Sequence, residues 1–477
     1  MVATSTGFLY EHLADELGQA IDRGSLRAGD RLPSVRRLAQ ERSCSVSTVI
    51  EAYMQLENAG LIEVRPKSGH FVRRRGSLTA EPRTPRTCQR PSKITVSDAY
   101  TKILSAMRDP ELVPFGCATI DPSYLPIVQL NRIITQLARE ITTLGARYEA
   151  APGLLTLRRQ IARRGVDAGM SLGENDICTT VGATEGLSLA LRAVARAGAV
   201  IAVESPAYFG VLQIIEGLGM RAIEIPAHPR TGLDVSAFEE TIRSQPVHAL
   251  VISPTISNPL GSIMPEDERE RLVRIARRAE IPIIEDEVYG ELVFDGSRPR
   301  PLRAFAGPSE DSNVLHVSSV SKTLAPGYRV GWVAGGRWHD QIVRLKYGQS
   351  LACPALLGMA VAEFLESGGY DRHLRRLRTT VAGNVERYRE AIVTQFPEGT
   401  RVSAPRGGFV LWVELPPGVD AVSLHEQALR RGIVVAPGPL FSARARFTNF
   451  IRISAGTPWS DRISEAIRTL ARLVAKD

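Results

Sequence analysis

The sequence is poor in cysteine and contains no long apolar run. Its five cysteines are scattered along 477 residues and form no CxxC pair, which excludes the usual sulfur ligand sets of zinc and iron–sulfur sites. No apolar stretch approaches the roughly 20 residues that a bilayer-spanning helix needs, and the first residues lack the basic and apolar regions of a secretory signal. These absences predict reduced thiols, no bound metal and a cytoplasmic protein.

The composition is that of a folded, globular protein. Apolar residues make up 44% of the chain and charged residues 23%, which excludes a fibrous or largely disordered chain. The length exceeds what a single hydrophobic core usually organises, so it predicts two or three domains.

The excess of positive charge is concentrated in one segment. Residues 64–93 contain nine Lys or Arg and one acid, so this segment accounts for the whole net charge of +8. Such a concentration is typical of a surface that binds a polyanion, and nucleic acid is the commonest one. A solvated basic linker is the alternative interpretation.

Three helices and a hairpin are predicted at the N-terminal end of the chain. Apolar residues recur every fourth position from Leu9 to Ile21, and two shorter amphipathic patterns follow between Gly29 and Gly60. Two apolar runs flank a basic turn at 65–69, which indicates two paired strands. The predicted helices span residues 9–21, 34–41 and 47–59, and the predicted strands span 61–64 and 70–72.

This order of elements resembles the winged helix-turn-helix domain of GntR-type transcriptional regulators. The segments that carry the match are LYEHLADEL, GSLRAGDRLPSVRRLA, STVIEAYMQLENAGLIEV and SGHFV. The resemblance implies binding to double-stranded DNA, in which the basic residues mainly contact phosphates. The candidate DNA contacts are Arg36, Arg37, Ser47, Thr48, Arg65 and Lys67. The family usually has an arginine where Val46 stands, and valine can touch a thymine methyl but cannot form bidentate bonds to guanine.

A linker and a larger domain follow residues 1–75. Residues 73–93 contain three prolines and no periodic apolar pattern, which predicts an extended, mobile linker, and we assign residues 76–105 to it. In residues 106–477, short apolar runs alternate with amphipathic helical stretches. This alternation predicts an α/β domain with a mostly parallel sheet and helices on both faces. Strands are predicted at 199–203, 249–252, 281–284 and 313–317.

Several polar motifs follow these predicted strands. The Gly-Ala-Thr turn at 182–184 precedes a helix, so its first-turn amides can hold a phosphate. Asp286 and Tyr289 stand three residues apart just past an apolar run, where ligands bind in open α/β sheets. Asn258 occupies a turn after another such run. Taken singly, each motif has a structural alternative, such as a helix cap or an ordinary loop.

A lysine motif further along the chain indicates that all these motifs serve one kind of chemistry. Lys322 follows Ser319 and Ser321 and precedes Arg329. Lysine condenses with a carbonyl to form a Schiff base, and pyridoxal chemistry also needs an acid at the ring nitrogen and a phosphate clamp. Because all these groups are present, the sequence indicates a site for pyridoxal 5'-phosphate (PLP).

The larger domain resembles the fold-type I, class I/II aminotransferases, which implies a smaller α+β subdomain at the C terminus. The resemblance implies that Lys322 holds PLP as a Schiff base and transfers protons. It also implies that Asp286 pairs with the protonated ring nitrogen. Asn258 and Tyr289 match the donors to the phenolic oxygen of the ring. The positions that match the phosphate cup are Ala183, Thr184, Ser319, Ser321 and Arg329.

Three further positions match ligand and subunit contacts of that family. Tyr208 matches the aromatic residue that stacks on the ring, and Arg452 matches the arginine that binds the substrate α-carboxylate. Tyr148 matches the tyrosine that a neighbouring subunit contributes to the phosphate, which implies a homodimer. Core packing for Tyr208 and a strand-edge salt bridge for Arg452 are the structural alternatives.

The two halves together resemble the MocR subfamily of transcriptional regulators. This resemblance implies a PLP-dependent regulator that senses an amino acid, an amine or PLP itself through the aminotransferase-like domain. The main alternative is a catalytically active aminotransferase with an accessory DNA-binding head, because every PLP position is occupied by a competent residue. A PLP-sensing module that binds another protein is a third interpretation.

Overall fold

The computed structural model divides the chain into two compact units. The smaller unit is Met1–Thr79 and the larger is Ala80–Asp477, and we call them the head and the body. The described residues are 9–23, 25–26, 29–58, 61–65, 69–72, 80–84, 87, 90–94, 109–141 and 146–475.

The head consists of three helices and a hairpin around one small core. Its elements are α1 (Leu9–Asp22), α2 (Val35–Glu41), α3 (Val46–Asn58), β1 (Ile62–Arg65) and β2 (Gly69–Val72). The two strands pair antiparallel, with Ile62 opposite Val72. Leu13, Leu38 and Tyr53 are buried together in the core. The predicted helices and strands are confirmed, since each bound lies within one residue of its prediction.

Serine side chains determine where α2 and α3 begin. The Oγ of Ser34 accepts a hydrogen bond from the backbone N of Arg37 at 3.3 Å, and the Oγ of Ser45 accepts one from the backbone N of Thr48 at 3.0 Å. These bonds satisfy amides that have no partner within the first turn of a helix. The first turns of α2 and α3 are therefore fixed by side chains next to the candidate DNA contacts.

The body is built on an eight-stranded sheet with the order β3-β10-β9-β8-β7-β4-β5-β6. β6 and β10 run antiparallel to their neighbours and the other pairs are parallel. The strands are β3 (Ile177–Val181), β4 (Val200–Ser205), β5 (Arg221–His228), β6 (Gly232–Leu233), β7 (Ala249–Ile252), β8 (Ile283–Asp286), β9 (Val314–Ser319) and β10 (Val330–Ala334). Three of the four predicted strands extend two residues further toward the C terminus than predicted, so that they include Ser205, Asp286 and Ser319.

Helices cover both faces of this sheet. They are α4 (Ile127–Glu140), α5 (Leu155–Asp167), α6 (Ala183–Val194), α7 (Phe209–Gly217), α8 (Val235–Ser244), α9 (Glu266–Arg278), α10 (His339–Gln349) and α11 (Ala355–Glu366). Alternate strand residues pack in different clusters: Val200 lies with Phe238 of α8, whereas Ile201 lies with Leu212 of α7. Both faces of the sheet are therefore buried, as a mostly parallel sheet requires.

A four-stranded sheet forms the C-terminal part of the body. Its strands are β11 (Arg401–Val402), β12 (Val410–Glu414), β13 (Ala436–Pro437) and β14 (Phe450–Ser454), in the order β11-β12-β14-β13. It is accompanied by α12 (Gly369–Gln395), α13 (Ala421–Leu429) and α14 (Asp461–Val474). Trp412 of β12 is buried in an aromatic cluster with Phe441, Phe447 and Phe450. This part is the predicted smaller α+β subdomain.

Described pieces of the predicted linker lie against the body. Ser92 forms a β-bridge with Ala222, and its backbone N donates to the Ala222 carbonyl at 2.8 Å. The backbone N of Arg83 donates to the Glu414 carboxylate at 2.9 Å, and Ile94 is buried. These contacts attach the two pieces to the body, and the bounds and mobility of the linker stay a prediction.

Three further properties concern only the described ranges. None of their helices is long and apolar enough to cross a membrane. Within the same ranges, no group of three or more His, Cys, Asp or Glu could hold a metal ion. Cys44, Cys117, Cys178 and Cys353 are free thiols, and Cys88 lies outside the described residues.

Candidate functional site

The carboxyl ends of the parallel strands meet at one edge of the large sheet. Ser205 ends β4, Asp286 ends β8 and Ser319 ends β9. The loops after β3 and β7 leave at the same edge, because those strands run in the same direction. Ligands of open α/β sheets bind at this edge.

The strand ends and loops enclose a cavity of about 200 Å³. Every predicted cofactor and ligand residue except Tyr148 lines it. The set is Ala183, Thr184, Tyr208, Asn258, Asp286, Tyr289, Ser319, Ser321, Lys322, Arg329 and Arg452. A concave site with several converging polar groups is typical of small-molecule binding.

Lys322 lies in the cavity wall, and its amine is held by a backbone carbonyl. Its Nζ donates to the Ala118 carbonyl at 2.7 Å and lies 5.6 Å from the centre of the Tyr289 ring. Burial lowers the pKa of Lys322 to about 8; Arg452 acts in the same direction and Asp286 opposes it. Part of the amine is therefore neutral near pH 7, which is the form that attacks a carbonyl.

Asp286 presents a buried carboxylate to the cavity. It is 6% exposed, and its Oδ1 has no hydrogen-bond partner among the described residues. Burial raises the pKa of Asp286 to about 6, because a carboxylate loses its hydration there. A protonated pyridine nitrogen would supply both a donor and a compensating charge, so this carboxylate fits the ring nitrogen of PLP.

Tyr289, Asn258 and Tyr208 approach the cavity from different loops. The buried Tyr289 hydroxyl has no partner within the described part of the chain, and burial raises its pKa. The Oδ1 of Asn258 accepts from Arg452 Nη1 at 3.0 Å, which leaves the Asn258 amide NH₂ as a donor. These two donors fit the phenolic oxygen of the PLP ring. Tyr208 immediately precedes α7 and lines the cavity.

The start of α6 and Arg329 form the phosphate end of the cavity. Gly182, before the helix, has φ of 77°, a conformation that favours glycine. A Cβ at Gly182 would collide with the Arg329 guanidinium, so the glycine also permits this close approach. Arg329 Nη2 donates to the Val181 carbonyl at 3.2 Å. Together with the first-turn amides of Ala183 and Thr184, this arrangement fits a phosphate group.

Arg452 is fully buried where the small sheet reaches the cavity. It lies in β14, opposite Trp412 of β12, and its guanidinium carbon lies 5.2 Å from the ring centres of both Phe209 and Phe441. Its Nη2 donates to the Gly116 carbonyl at 2.5 Å. β14 is paired on both sides, so the strand-edge alternative is wrong. A buried guanidinium in these surroundings fits a ligand carboxylate.

A buried ion pair supports the phosphate end from behind. Glu185, in the first turn of α6, accepts from the Lys346 amine at 3.1 Å, from Ser350 Oγ at 2.5 Å and from the Val181 backbone N at 2.5 Å. Lys346 is fully buried and Glu185 nearly so. The pair therefore connects the helix that starts at the phosphate end to α10 through a strong interaction at low dielectric.

Two family models match parts of this chain, and two relatives are similar to it over nearly its whole length. A model of class I and II aminotransferases matches residues 123–470, and a model of the gntR family of bacterial regulatory proteins matches residues 9–72. The uncharacterized HTH-type transcriptional regulator YjiR of Escherichia coli K12 is 40% identical over 98% of each chain. The regulator YdcR of the same organism is 34% identical, also over 98% of each chain. This chain belongs to the MocR-type GntR regulators.

A solved aminotransferase structure supports the cofactor assignment for this MocR-type regulator. LysN, the α-aminoadipate aminotransferase of Thermus thermophilus, was solved with N-(5'-phosphopyridoxyl)-L-leucine. It superposes with a TM-score of 0.73 at 26% identity, over 80% of this chain and 99% of that chain. The predicted fold type is confirmed, and the cofactor of the regulator is PLP.

Tyr148 is not part of the cavity formed by its own chain. Its side chain is 81% exposed, in the segment that precedes the bridge between Ala150 and Ala352. The predicted contribution of Tyr148 to a neighbouring subunit stays a prediction.

Sequence reasoning missed the segment 116–119, which closes one side of the cavity. The Gly116 carbonyl accepts from Arg452 and the Ala118 carbonyl accepts from Lys322. Both interactions use backbone atoms, so no side-chain motif marks them. Cys117 lines the cavity, and burial raises the pKa of its thiol to about 11.

The candidate DNA contacts lie in the head of the regulator. Arg36 and Arg37 are exposed on α2, and Arg37 Nε pairs with Glu41 at 2.7 Å. Ser47 and Thr48 lie in the first turn of α3, and both hydroxyls lie 2.7 Å from Ser45 Oγ. Arg65 is the last residue of β1, and Lys67 lies outside the described residues.

We expect covalent attachment of PLP to Lys322 to become faster as the pH rises through about 8, because only the neutral amine attacks the carbonyl. Asp286→Asn removes an interaction that raises the pKa of Lys322, so it should move the midpoint to lower pH. Arg452→Gln removes one that lowers it, so it should move the midpoint to higher pH. The rate is measured by rapid mixing of apo-protein with PLP and quenching with borohydride after different times. Shifts of the same sign in both variants would contradict the assignment.

We expect Lys346→Met to lower the free energy of unfolding by about 3–5 kcal/mol, because it leaves the Glu185 carboxylate buried without its cation. Urea unfolding measures the loss. Lys346→Met combined with Glu185→Gln should recover part of it, whereas Arg344→Ala at an exposed position of α10 should cost less than about 1 kcal/mol. A double variant as unstable as the sum of the two single variants would show that the two side chains do not interact.

Proposed function

We propose that this regulator binds double-stranded DNA through its head and an amino-group ligand beside PLP in its body, and that the ligand changes DNA binding. The observation that carries the proposal is the presence of a complete PLP cavity and a GntR-type head in one chain. A free-standing aminotransferase has no need of such a head. We place the DNA-binding domain at 1–75, the linker at 76–105 and the PLP-binding domain at 106–477, in a cytoplasmic protein.

Different residues of the cavity bind different groups of PLP. When bound, PLP supplies a reactive carbonyl and an electron-withdrawing ring. Lys322 supplies the amine that holds it, and its Nζ can accept or return a proton. Asp286 stabilises positive charge at the ring nitrogen, and Arg329 with the start of α6 binds the phosphate. The ligand group that can compete with Lys322 for the carbonyl of PLP is therefore a primary amine.

Arg452 adds a second requirement to the ligand. Its guanidinium is fully buried in the cavity wall, and a planar guanidinium binds a carboxylate through two parallel hydrogen bonds. A ligand that carries both an amino group and a carboxylate satisfies Lys322 and Arg452 together. Amino acids are therefore favoured over simple amines as effectors.

We propose a homodimer in which Tyr148 reaches the phosphate site of the partner subunit. Tyr148 is 81% exposed, more than a tyrosine without a partner usually is. Tyr347 and Leu351 are also exposed, and Leu351 adjoins Ala352, whose bridge to Ala150 brings the two segments together. Exposed apolar groups that lie close together are typical of a protein interface.

The piece of linker whose backbone is bound by Glu414 suggests how ligand binding in the body changes DNA binding by the head. Glu414 ends β12, the strand in which Trp412 lies opposite Arg452. A carboxylate on Arg452 therefore acts on the same small sheet to which Arg83 is attached. The coupling requires that the ligand bind two arrangements of the protein with different affinity.

A titration of the full-length protein with an amino-acid panel tests this proposal. The PLP absorbance and the affinity for a selected DNA duplex are followed in parallel, in wild type and in Lys322→Ala. We expect compounds that change the absorbance to change DNA affinity by about 5–150-fold, the usual range of allosteric coupling. In the variant the ligand amine can condense only with the free aldehyde of PLP, so the part of the response that depends on displacing Lys322 should be lost.

Aminotransferase activity is the second candidate function, favoured by the presence of both Lys322 and Arg452 in the cavity. The same titration separates the two when a keto acid is added. Suppose that turnover is fast and that no compound which alters the absorbance changes DNA affinity. The proposed function as a regulator would then be wrong, and the protein would be an aminotransferase.

A further inference from the structure

An apolar stripe runs along the outside of α3. Val46, Ile50 and Met54 recur every fourth residue, and they are 46%, 44% and 56% exposed. Side chains four apart lie on the same face of a helix. An adjacent face of the helix packs in the core of the head through Val49 and Leu56. The stripe therefore adds nothing to the core of the head and presents apolar surface outward.

The charges of α3 restrict what this stripe can meet. The helix VSTVIEAYMQLEN contains no Lys, Arg or His, and its charged residues are Glu51 and Glu57. It therefore lacks the side chains that bind guanine O6 and N7 most often, and its acids disfavour close contact with phosphates. Positive charge lies instead on the preceding helix, where Arg36 and Arg37 are exposed. This separation places phosphate contacts on α2 and leaves α3 to face base edges.

The hydroxyls at the start of α3 are already engaged with each other. Ser47 Oγ and Thr48 Oγ1 each lie 2.7 Å from Ser45 Oγ, and Ser45 Oγ also accepts from the Thr48 amide. They hold the first turn of the helix, next to Val46 and within one turn of Ile50. The N-terminal half of a recognition helix is the part that reaches the bases in helix-turn-helix complexes.

In the major groove, the one apolar group on a base edge is the C5 methyl of thymine. We propose that α3 selects its operator through thymine methyl groups, which Val46 and Ile50 contact directly and Met54 contacts at the far end. The inference rests on the proposed DNA-binding function and adds its specificity: half-sites in which thymines, on either strand, occupy the positions under the stripe.

The experiment uses full-length protein with PLP and a randomised duplex library. Selected duplexes are resynthesised with deoxyuridine in place of thymidine at one position at a time, which removes only the methyl group. We expect two or three positions per half-site at which affinity falls about four-fold, the loss for one buried methyl-sized group. At the remaining thymidines affinity should stay unchanged.

Variants assign the methyl contacts to the stripe. At one of these positions, Ile50→Ala should bind the duplex with deoxyuridine as tightly as the duplex with thymidine. At the other positions, deoxyuridine should still lower the affinity of this variant. Val46→Arg should exchange one thymine preference for guanine. Gln55→Ala changes an exposed residue of the same helix outside the stripe and should keep every sensitivity. All these sites are on the surface, and circular dichroism checks that the variants fold.

The outcomes separate the inference from the function on which it rests. Sequence-selective binding that ignores every deoxyuridine substitution would overturn the methyl readout and leave the regulator intact. Failure to select any sequence from the library would overturn the DNA-binding function itself. If Ile50→Ala leaves all DNA affinities unchanged but abolishes an association between protein chains, the stripe is a protein interface and the proposal is wrong.

Discussion

Replacing Lys322 by alanine is expected to abolish covalent attachment of PLP. Lys322 is the only lysine that lines the cavity within the described residues, and its amine has a lowered pKa that favours the reactive neutral form. Borohydride reduction of the wild type, followed by digestion and mass spectrometry, should place one pyridoxyl group on the peptide that contains Lys322. The variant should show none.

Two controls make this result specific to Lys322. Lys93→Ala removes an exposed lysine of the body and should leave the labelled peptide unchanged. Lys322→Arg keeps a positive charge in the cavity but cannot form the bond, so it should bind PLP without being labelled. A pyridoxyl group on another lysine of the wild type would show that the site has been assigned wrongly.

Arg452→Gln is expected to weaken amino-acid binding by at least about a hundredfold. Each charge-assisted hydrogen bond contributes about 1.5–3 kcal/mol, and the guanidinium offers two to a carboxylate. Glutamine keeps a donor and much of the volume, so the aromatic rings on either side stay supported. Absorbance titration of the PLP-loaded protein measures the affinity.

The matched control for Arg452 is a change in the ligand. An amine that has the same side chain but lacks the carboxylate should bind wild type and Arg452→Gln with similar affinity. If the amine and the amino acid lose affinity equally, Arg452 supports the shape of the cavity and does not bind the carboxylate.

The sequence predicted the head almost residue by residue, because each of its boundaries has a local cause. Ser34 and Ser45 accept hydrogen bonds from first-turn amides, whereas Gly60, predicted to end α3, lies outside the described residues. Such signals lie within a few residues of the boundary they determine. The same holds for the motif around Lys322, whose neighbours in sequence are also its neighbours in space.

Long-range contacts were beyond sequence reasoning. Lys322 and Ala118 are 204 residues apart, and their hydrogen bond uses a carbonyl that every residue possesses. The ion pair of Glu185 and Lys346 joins two helices without any motif that marks the partners. The linker illustrates the same limit, because its composition favours an extended chain but does not reveal that Glu414 accepts from its backbone.

The position of Trp412 gives the protein an internal optical probe. Its indole lies in the strand opposite Arg452 and stacks on Phe450 with ring centres 5.3 Å apart. Indole emission depends on nearby charge, and a carboxylate bound to Arg452 would neutralise a guanidinium that lies 5.2 Å from Phe441 of the same aromatic cluster. Since the chain contains four tryptophans, replacing the other three by phenylalanine would leave one fluorophore whose emission follows ligand occupancy in unlabelled protein.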